Sequence, residues 1–293
     1  MQHSRLRLID LNYYCHRDIK QPEKVLEIHA FSDGYAFPLN EIMEVQLVKH
    51  ADINTSYKTN NLLFRFFKSR NNFWYIPFAT HRYIKQQKPD FILVQGFVFP
   101  VQLIALKLLL GKRTKILVQH HGELPFSGYK KIVQKMADKF ISAYLFTGIG
   151  NAKEWIEGGV IPHKKCFEIQ AASTCFTPLQ KAACKAELNI IASTNFLWVG
   201  HLTPLKDPVT VVNAFAQYLE SNSGAALYFI YQSTMLLDEL KKIVANSDSL
   251  QKSVNFIGYV SHKQLQKWYS ACFYFSSGSH RESCGYSLLE AIA

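Results

Sequence analysis

The sequence lacks the cysteine spacing of a zinc site or of a disulfide framework. Its 293 residues include six cysteines, and no two of them form a Cys-x-x-Cys pair. No Asp-x-Asp pair is present to hold a divalent cation. No long apolar stretch follows Met1, so a secretory signal is not expected. These absences predict a protein of the reducing cytoplasm that works without a metal or another cofactor.

Acidic residues are scarce in the first half of the chain. Residues 1–173 hold 24 Lys and Arg against 14 Asp and Glu, whereas residues 174–293 hold 9 against 8. The densest contributors are Lys112, Arg113, Lys115, Lys130, Lys131, Lys135 and Lys139. This excess predicts contact with an anionic membrane surface or a phosphorylated acceptor, although a solvated helix face would explain the same lysines. Nucleic acid is not expected, because no basic motif is interleaved with aromatic residues.

The chain contains one run that imitates a membrane span. Residues 91–110 contain a single charged residue, Lys107. Gly96 and Pro100 interrupt the run where a loop between a strand and a helix would lie. We therefore predict a buried strand over 91–95 and an apolar helix over 101–110, rather than a membrane span.

Short apolar runs alternate with amphipathic stretches in two series. The predicted strands are 91–95, 115–119, 143–147 and 167–170, then 196–199, 227–231, 254–257 and 272–275. The predicted helices are 101–110, 128–141 and 151–158, then 208–221, 234–246 and 262–270. This order predicts an α/β protein with two Rossmann-like domains, whose parallel sheets face a central cleft. The predicted bounds are 1–178 for the first domain, 179–194 for a linker and 195–293 for the second domain.

Glu282 and Glu290 stand eight residues apart across a sharp change in composition. Apolar residues within 288–292 recur at the spacing of one helix face, so we predict a helix that begins near Gly285. The start of a helix presents backbone N–H groups and the positive end of its dipole, which suit a phosphate. Carboxylates accept hydrogen bonds from sugar hydroxyls. Together these features predict a site for a sugar nucleotide.

The same pair resembles the Glu-x7-Glu signature of retaining glycosyltransferases of the GT-B fold, specifically glycosyltransferase family 4. Residues 199–207, Val-Gly-His-Leu-Thr-Pro-Leu-Lys-Asp, are similar to the Gly-Arg-Leu-x-x-x-Lys-Gly segment of that family. Residues 254–260 are similar to its strand and turn, and residues 265–271 to the helix that follows. The resemblance covers residues 195–293 closely and 88–178 loosely. It implies the GT-B fold, with two Rossmann-like domains.

The resemblance also implies roles for individual residues. In the second domain, Lys206 would stabilise the leaving diphosphate and Glu282 would accept hydrogen bonds from the donor sugar. In the first domain, His121 would contact the donor sugar, and these three form the predicted catalytic set. The predicted donor-binding residues are Gly200, His201, Gly285, Tyr286 and Glu290, of which Glu290 would bind the ribose.

The sequence departs from the family pattern at four places. His201 replaces the usual arginine, and Asp207 replaces a glycine and could cap the next helix. The glycine-rich turn after the first strand is missing, and residues 31–35 are the nearest candidate. A Gly-x-Gly in the second domain is replaced by Tyr-Gln-Ser at 231–233.

The implied activity is transfer of a hexosyl group from a UDP or GDP sugar, with retention, to a glycan or lipid-linked acceptor. A bacterial surface polysaccharide or lipopolysaccharide pathway would suit it, with the protein peripheral at the inner face of the cell membrane. The alternatives are a sugar-nucleotide-binding protein without turnover and a GT-B epimerase or phosphorylase. The family continues beyond the position of Ala293, so we expect the chain to be a fragment with an incomplete second domain.

Overall fold

The chain folds into two α/β units, each built on its own sheet. The structure is a computed structural model that describes residues 5–29, 34–59, 61–170 and 174–293. The compact units are Met1–Ala172 and Ser173–Ala293. The sheet of the second unit is parallel, and the sheet of the first unit is parallel except for one pair of strands. The predicted fold class is confirmed.

The first unit alternates strands and helices from its start. In chain order its elements are β1 (Arg7–His16), α1 (Pro22–His29), α2 (Ala36–Ile42), β2 (Glu44–Ala51), β3 (Thr55–Thr59), β4 (Leu62–Lys68), α3 (Phe78–Gln87), β5 (Phe91–Gln95), α4 (Pro100–Leu110), β6 (Lys115–Gln119), α5 (Gly128–Asp138), β7 (Ala143–Phe146), a 3₁₀ turn (Ile149–Ala152), α6 (Lys153–Glu157), a second 3₁₀ turn (His163–Lys165) and β8 (Cys166–Glu168).

The eight strands of this unit form one sheet in the order β3-β4-β2-β1-β5-β6-β7-β8. All neighbours are parallel except β3 and β4. Successive strand residues point to opposite faces of a sheet. Ile92 and Val94 pack into the core on one face, and Leu93 packs into the core on the other. Helices therefore cover both faces, as a parallel sheet requires.

The second unit repeats this pattern on a smaller scale. Its elements are α7 (Lys181–Glu187), β9 (Thr194–Gly200), a 3₁₀ turn (Pro204–Lys206), α8 (Pro208–Leu219), β10 (Ala225–Tyr231), α9 (Leu237–Ala245), α10 (Asp248–Ser253), β11 (Val254–Gly258), α11 (His262–Ala271), β12 (Tyr274–Phe275) and α12 (Tyr286–Ile292).

The four strands of the second unit are parallel, in the order β11-β10-β9-β12. Leu227 and Phe229 are buried on one face of the sheet, and Tyr228 and Ile230 are buried on the other. β9 and β12 are neighbours. The loops that follow these two strands therefore begin at the same edge of the sheet.

The apolar run at 91–110 folds as predicted, into β5, a loop and α4. Over the described ranges, no helix is long and apolar enough to cross a membrane. The nearest candidate for the glycine-rich turn, 31–35, lies partly outside the described residues, which omit 31–33.

Several predicted bounds are wrong. The strand predicted at 272–275 has only two residues, and α5 ends at Asp138 rather than 141. The helix predicted at 151–158 begins with a 3₁₀ turn. The sequence pattern also missed α10, whose six residues are too few to show a period and whose start is set by the Ser247 side chain.

The segment predicted as a linker, 179–194, contains α7. Cys184 of this helix is buried in a core cluster of the second unit, where Trp268 of α11 also lies. The segment therefore packs as part of that unit.

Candidate functional site

The carboxyl edge of the second sheet brings two loops together. One follows β9 and contains residues 201–207, and the other follows β12 and contains residues 276–285. The backbone N–H of His280 donates to the carbonyl of Leu205 at 3.0 Å. Ligands of open α/β sheets bind at this edge, where the strands end.

Gly278 sets how closely these loops approach. A Cβ atom at this position would lie 2.4 Å from the carbonyl oxygen of Asp207. No side chain fits at that distance, so glycine is the residue that the contact allows. Sequence reasoning missed this residue, and its one signal was a glycine within the serine-rich run at 276–279.

Lys206 and Glu282 meet across the two loops. The Nζ atom of Lys206 lies 2.5 Å from Oε1 of Glu282, although the residues are 76 positions apart. Their side chains are 24% and 35% exposed, so the pair is partly open to solvent. The structure thus joins the two predicted catalytic residues of this unit into one ion pair.

Asp207 caps α8, as the sequence predicted. Its Oδ1 accepts from the backbone N–H of Thr210 at 3.1 Å, and its Oδ2 accepts from the Thr210 hydroxyl at 2.7 Å. The ring of His280 lies 3.2 Å from the same carboxylate. The Thr210 hydroxyl first, and then its amide and His280, lower the pKa of Asp207. The carboxylate therefore stays charged and ties the end of one loop to the other.

Helix α12 begins at Tyr286, directly after Gly285, as predicted. Gly285 has a φ of 61°, a left-handed conformation that favours glycine. Its carbonyl accepts from the amides of Leu288 and Leu289 at 2.9 and 3.0 Å. The phosphate-binding role of Gly285 and Tyr286 stays a prediction.

Glu290 lies on the second turn of α12 and is 9% exposed. Its Oε1 atom lies 2.8 Å from Nε2 of His262, at the start of α11. The His262 ring stacks on Phe176, with centroids 4.3 Å apart. Burial, and then the nearby Glu290 carboxylate, raise the pKa of Tyr269. Sequence reasoning missed His262, and the ribose role of Glu290 stays a prediction.

Gly200 and His201 stand at the end of β9. A Cβ atom on Gly200 would lie 3.1 Å from the indole of Trp198, so this position favours glycine through close packing. The side chain of His201 is exposed, and its carbonyl accepts from the amide of Thr203 at 2.7 Å. Both residues lie beside the loop that carries Lys206, and their contact with a donor stays a prediction.

His121 lies in the first unit, directly after β6. Its Nε2 atom is 2.6 Å from Oε1 of Gln95, the last residue of β5. The Nε2 atom of Gln95 in turn lies 2.6 Å from the buried carboxylate of Asp10 on β1. Asp10 within β1, Gln95 at the end of β5 and His121 in the loop after β6 therefore form one series of hydrogen-bonded side chains.

Glu123 shapes the loop that carries His121. One carboxylate oxygen accepts from the backbone N–H of His121 at 2.7 Å, and the other accepts from that of Phe97 at 2.6 Å. The neighbouring His120 bonds to the carbonyl of Glu123 at 2.9 Å and packs against Phe146. His120 is thus held inside the unit, and the role of His121 as the functional histidine stays a prediction.

Among the described residues, no group of three or more His, Cys, Asp and Glu side chains is arranged to hold a metal ion. The expectation of a metal-independent protein stays a prediction.

Residues 186–293, which include β9–β12, match the family model described as glycosyl transferases group 1. This segment is similar to the members of that family. It contains Lys206, Glu282 and Glu290. A comparison of the sequence with curated proteins found no match.

Solved glycosyltransferase structures share the fold of the whole chain. HepE from Anabaena, in complex with UDP and glucose, has a TM-score of 0.69 at 14% identity, over 98% of this chain and 78% of HepE. Sucrose-phosphate synthase from Thermosynechococcus elongatus has a TM-score of 0.67 at 16% identity, over 98% and 79%. The lipopolysaccharide outer core galactosyltransferase WaaB has a TM-score of 0.63 at 13% identity, over 98% and 78%. The fold is therefore GT-B.

Proposed function

We propose that the chain transfers a hexosyl group from a UDP or GDP sugar to a glycan or lipid-linked acceptor, with retention of anomeric configuration. The observation that carries this proposal is the contact of Lys206 with Glu282 at the carboxyl edge of the second sheet. The family match over residues 186–293 supports glycosyl transfer. HepE, which shares the fold, is named as a complex with UDP and glucose.

The two members of the ion pair suit two parts of a sugar nucleotide. The Lys206 ammonium would compensate the negative charge that develops on the leaving diphosphate, a role that a fixed cation performs without reorganising. The Glu282 carboxylate accepts hydrogen bonds, and sugar hydroxyls can donate them. Without ligand the two side chains neutralise each other. In a donor complex the diphosphate would replace Glu282 as the anionic partner of Lys206, and sugar hydroxyls would donate to Glu282 in place of the ammonium.

Retention follows if the acceptor attacks the face from which the diphosphate leaves. The bond between the anomeric carbon and the phosphate oxygen breaks, and a bond from the acceptor oxygen to that carbon forms. The acceptor proton passes to the leaving phosphate oxygen. This route needs no protein nucleophile, in contrast to a retaining glycosidase with its pair of carboxylates.

The acceptor and the cellular setting are part of the proposal. WaaB, which shares the fold, is named as a lipopolysaccharide outer core galactosyltransferase. By analogy we assign this chain to surface polysaccharide or lipopolysaccharide synthesis, in the cytoplasm at the inner face of the membrane. The basic first half of the chain suits an anionic lipid surface there.

The test is turnover of a donor panel, UDP-glucose, UDP-galactose and GDP-mannose, by the full chain with mixed glycan and lipid-linked acceptors. Release of the nucleoside diphosphate should require acceptor, persist with EDTA, and yield a product with the donor's anomeric configuration by proton NMR. Inversion would reject retention, and loss of activity with EDTA would reject metal independence. Release of no nucleoside diphosphate from any donor would reject the transferase.

His201 favours a second candidate, a sugar-nucleotide-binding protein without turnover. A neutral histidine provides less charge for a diphosphate than the arginine of the family pattern. Calorimetric binding of UDP or GDP without product formation would support this candidate. Epimerisation of a donor without acceptor would instead indicate a GT-B epimerase.

A further inference from the structure

The outer face of α5 carries an exposed apolar stripe. Tyr129, Ile132 and Met136 follow one another at helical spacing and are 59%, 61% and 53% exposed. The opposite side of the helix packs inward, through the buried residues Gln134 and Ala137. The stripe is therefore the solvent side of a helix whose other side is already packed.

Trp74 extends this stripe beyond the helix. Its ring lies parallel to that of Tyr129, with centroids 6.3 Å apart and an interplanar angle of 3°. Trp74 is itself 58% exposed. The surface of Trp74, Tyr129, Ile132 and Met136, called the α5 face below, thus presents two aromatic and two aliphatic side chains to solvent.

Lysines border the α5 face. Lys135 and Lys139, on the same helix and directly after it, lie next to the apolar stripe on the helical wheel, and Lys131 lies beyond Lys135, one turn earlier. The one acidic residue of α5 is Asp138, which accepts from Lys165 at 3.0 Å and from the Tyr144 hydroxyl at 3.0 Å. That carboxylate is engaged inside the unit, so the border of the α5 face is positive.

Gln134 holds the helix in this orientation. Its Oε1 accepts from the backbone N–H of Phe126 at 2.8 Å, and its Nε2 donates to the carbonyl of Phe97 at 2.8 Å. Gln134 is fully buried, so rotation of α5 to hide its apolar stripe would break two buried hydrogen bonds. The exposure of the stripe is thus part of the packed structure.

We propose that the α5 face docks on an anionic lipid bilayer, with its apolar side chains at the interface and its lysines against the headgroups. An amphipathic helix with aromatic and aliphatic residues on one face and flanking lysines has this property. Lysine stems also extend along apolar surface while their ammonium groups stay in water. Lysine is depleted at protein–protein interfaces, and two copies of this positive border would repel each other, so a lipid surface fits better.

Docking through the α5 face would bring the membrane close to the loop that carries His121. The loop 120–127, which carries His121, runs directly into α5. A lipid-linked acceptor would therefore meet the first unit beside its predicted sugar-contacting histidine. This benefit rests on the proposed function, whereas lipid binding itself can be measured without a donor or an acceptor.

Tryptophan fluorescence of the full chain gives a local readout. The chain has four tryptophans, and Trp155, Trp198 and Trp268 are buried, with exposures of 1%, 2% and 6%. Vesicles of equal parts phosphatidylcholine and phosphatidylglycerol should shift the emission of Trp74 to the blue, and brominated lipid should quench it. Trp74→Phe should abolish both signals. Binding without any change in the emission would overturn the proposal.

Two triple variants separate the apolar and the charged parts in vesicle sedimentation. Tyr129→Ser with Ile132→Ser and Met136→Ser should reduce binding at least tenfold. The affinity of Lys131→Gln with Lys135→Gln and Lys139→Gln for these vesicles should fall about fivefold per lysine. Each lysine near an anionic surface contributes about one kcal/mol to binding. The matched controls, Leu108→Ser with Met235→Ser and Lys241→Gln with Lys242→Gln, change exposed side chains elsewhere and should bind as the parent does.

Three outcomes would reject the docking surface. They are equal binding to pure phosphatidylcholine vesicles, binding that neither triple variant weakens, and self-association of the parent that the serine variant abolishes. Circular dichroism and donor turnover with a water-soluble acceptor show whether each variant is folded and active. A variant that turns over donor yet no longer binds vesicles supports docking, and an inactive parent that binds vesicles through the α5 face rejects only the proposed function.

Discussion

The Nε2 atom of His121 lies 2.6 Å from the Oε1 atom of Gln95. The other end of the Gln95 amide, Nε2, donates to Oδ2 of Asp10 at 2.6 Å. Gln95 must therefore turn its NH₂ group to Asp10 and its oxygen to His121. His121 then carries its proton on Nε2 and keeps a lone pair on Nδ1, which can accept from a hydroxyl.

This arrangement predicts the tautomer of His121. Nitrogen NMR of the full chain should show the Nε2–H form for His121, assigned by loss of the signals in His121→Gln. Gln95→Leu removes the acceptor and should leave a mixture of tautomers. A dominant Nδ1–H form in the parent would contradict the assignment.

Lys206→Ala should lower kcat about 100-fold or more, because it removes a cation from the developing charge of the leaving group. The ratio of rates with different donor sugars should change little, since the lysine does not contact the sugar in this proposal. Lys241→Ala, an exposed lysine on α9, is the matched control and should keep the parent rate. Equal kcat in Lys206→Ala and the parent would remove the role of Lys206.

Gly278→Ala should destabilise the second unit by about 1 to 3 kcal/mol, because the new Cβ atom overlaps the carbonyl of Asp207. Gly224→Ala is the control, since its Cβ atom would lie 3.5 Å from the nearest side-chain atom, an ordinary contact. The free energy of unfolding of Gly224→Ala, measured in urea, should stay within about 0.5 kcal/mol of that of the parent. If both variants unfold at the parent's urea midpoint, the two loops do not meet at Gly278.

Glu290→Gln should weaken binding of the nucleoside diphosphate about tenfold or more, because hydrogen bonds to a charged acceptor are stronger than those to a neutral one. The substitution keeps the size of the side chain beside His262, so the fold should persist by circular dichroism. Glu187→Gln changes an exposed carboxylate of the same unit and should bind as the parent does. Unchanged calorimetric affinity in Glu290→Gln would show that Glu290 serves the packing of α12 only.

Two buried histidines predict a loss of stability in acid. Burial lowers the pKa of His50 and of His81 to about 4. The charge of a protonated His50 also lowers the pKa of His81. Their pKa in the unfolded chain is near 6.5, so the unfolded state binds more protons between these values. The free energy of unfolding of the first unit therefore keeps its highest value, as far as these histidines are concerned, above pH 6.5. It falls by about 3 kcal/mol per histidine as the pH drops to 4.

Urea unfolding from pH 7 to 4, followed by the fluorescence of the buried Trp155, measures this slope. His81→Gln keeps a hydrogen-bonding partner for the Tyr13 hydroxyl but does not titrate, so its slope should be shallower. His163→Gln, in a 3₁₀ turn without buried residues, should retain the parent slope. A slope that His81→Gln leaves unchanged would assign the acid sensitivity to other groups.

Local sequence patterns predict most strands and helices of the second unit. Apart from α10, the approximate strand and helix positions from β9 to α12 follow from apolar periodicity, and the start of α12 follows from a glycine before an apolar face. Residues 5–68 were not assigned in advance, although β1, β2, β3 and β4 all lie there. Two of these strands, β1 and β2, lie at or next to the centre of the eight-stranded sheet, and their order depends on pairing partners far along the chain.

The amino-acid sequence by itself determined which residue types were available for the site: a lysine after β9, a carboxylate before α12 and a histidine after β6. Tertiary structure alone decided that Lys206 contacts Glu282, that Glu290 pairs with His262, and that Asp10 orients Gln95 toward His121. Period and propensity act over a few neighbouring residues, whereas these contacts join residues 28 to 85 positions apart. Such pairs are set by which strands lie side by side and by which helix face packs inward, and that choice is made only when the whole sheet assembles.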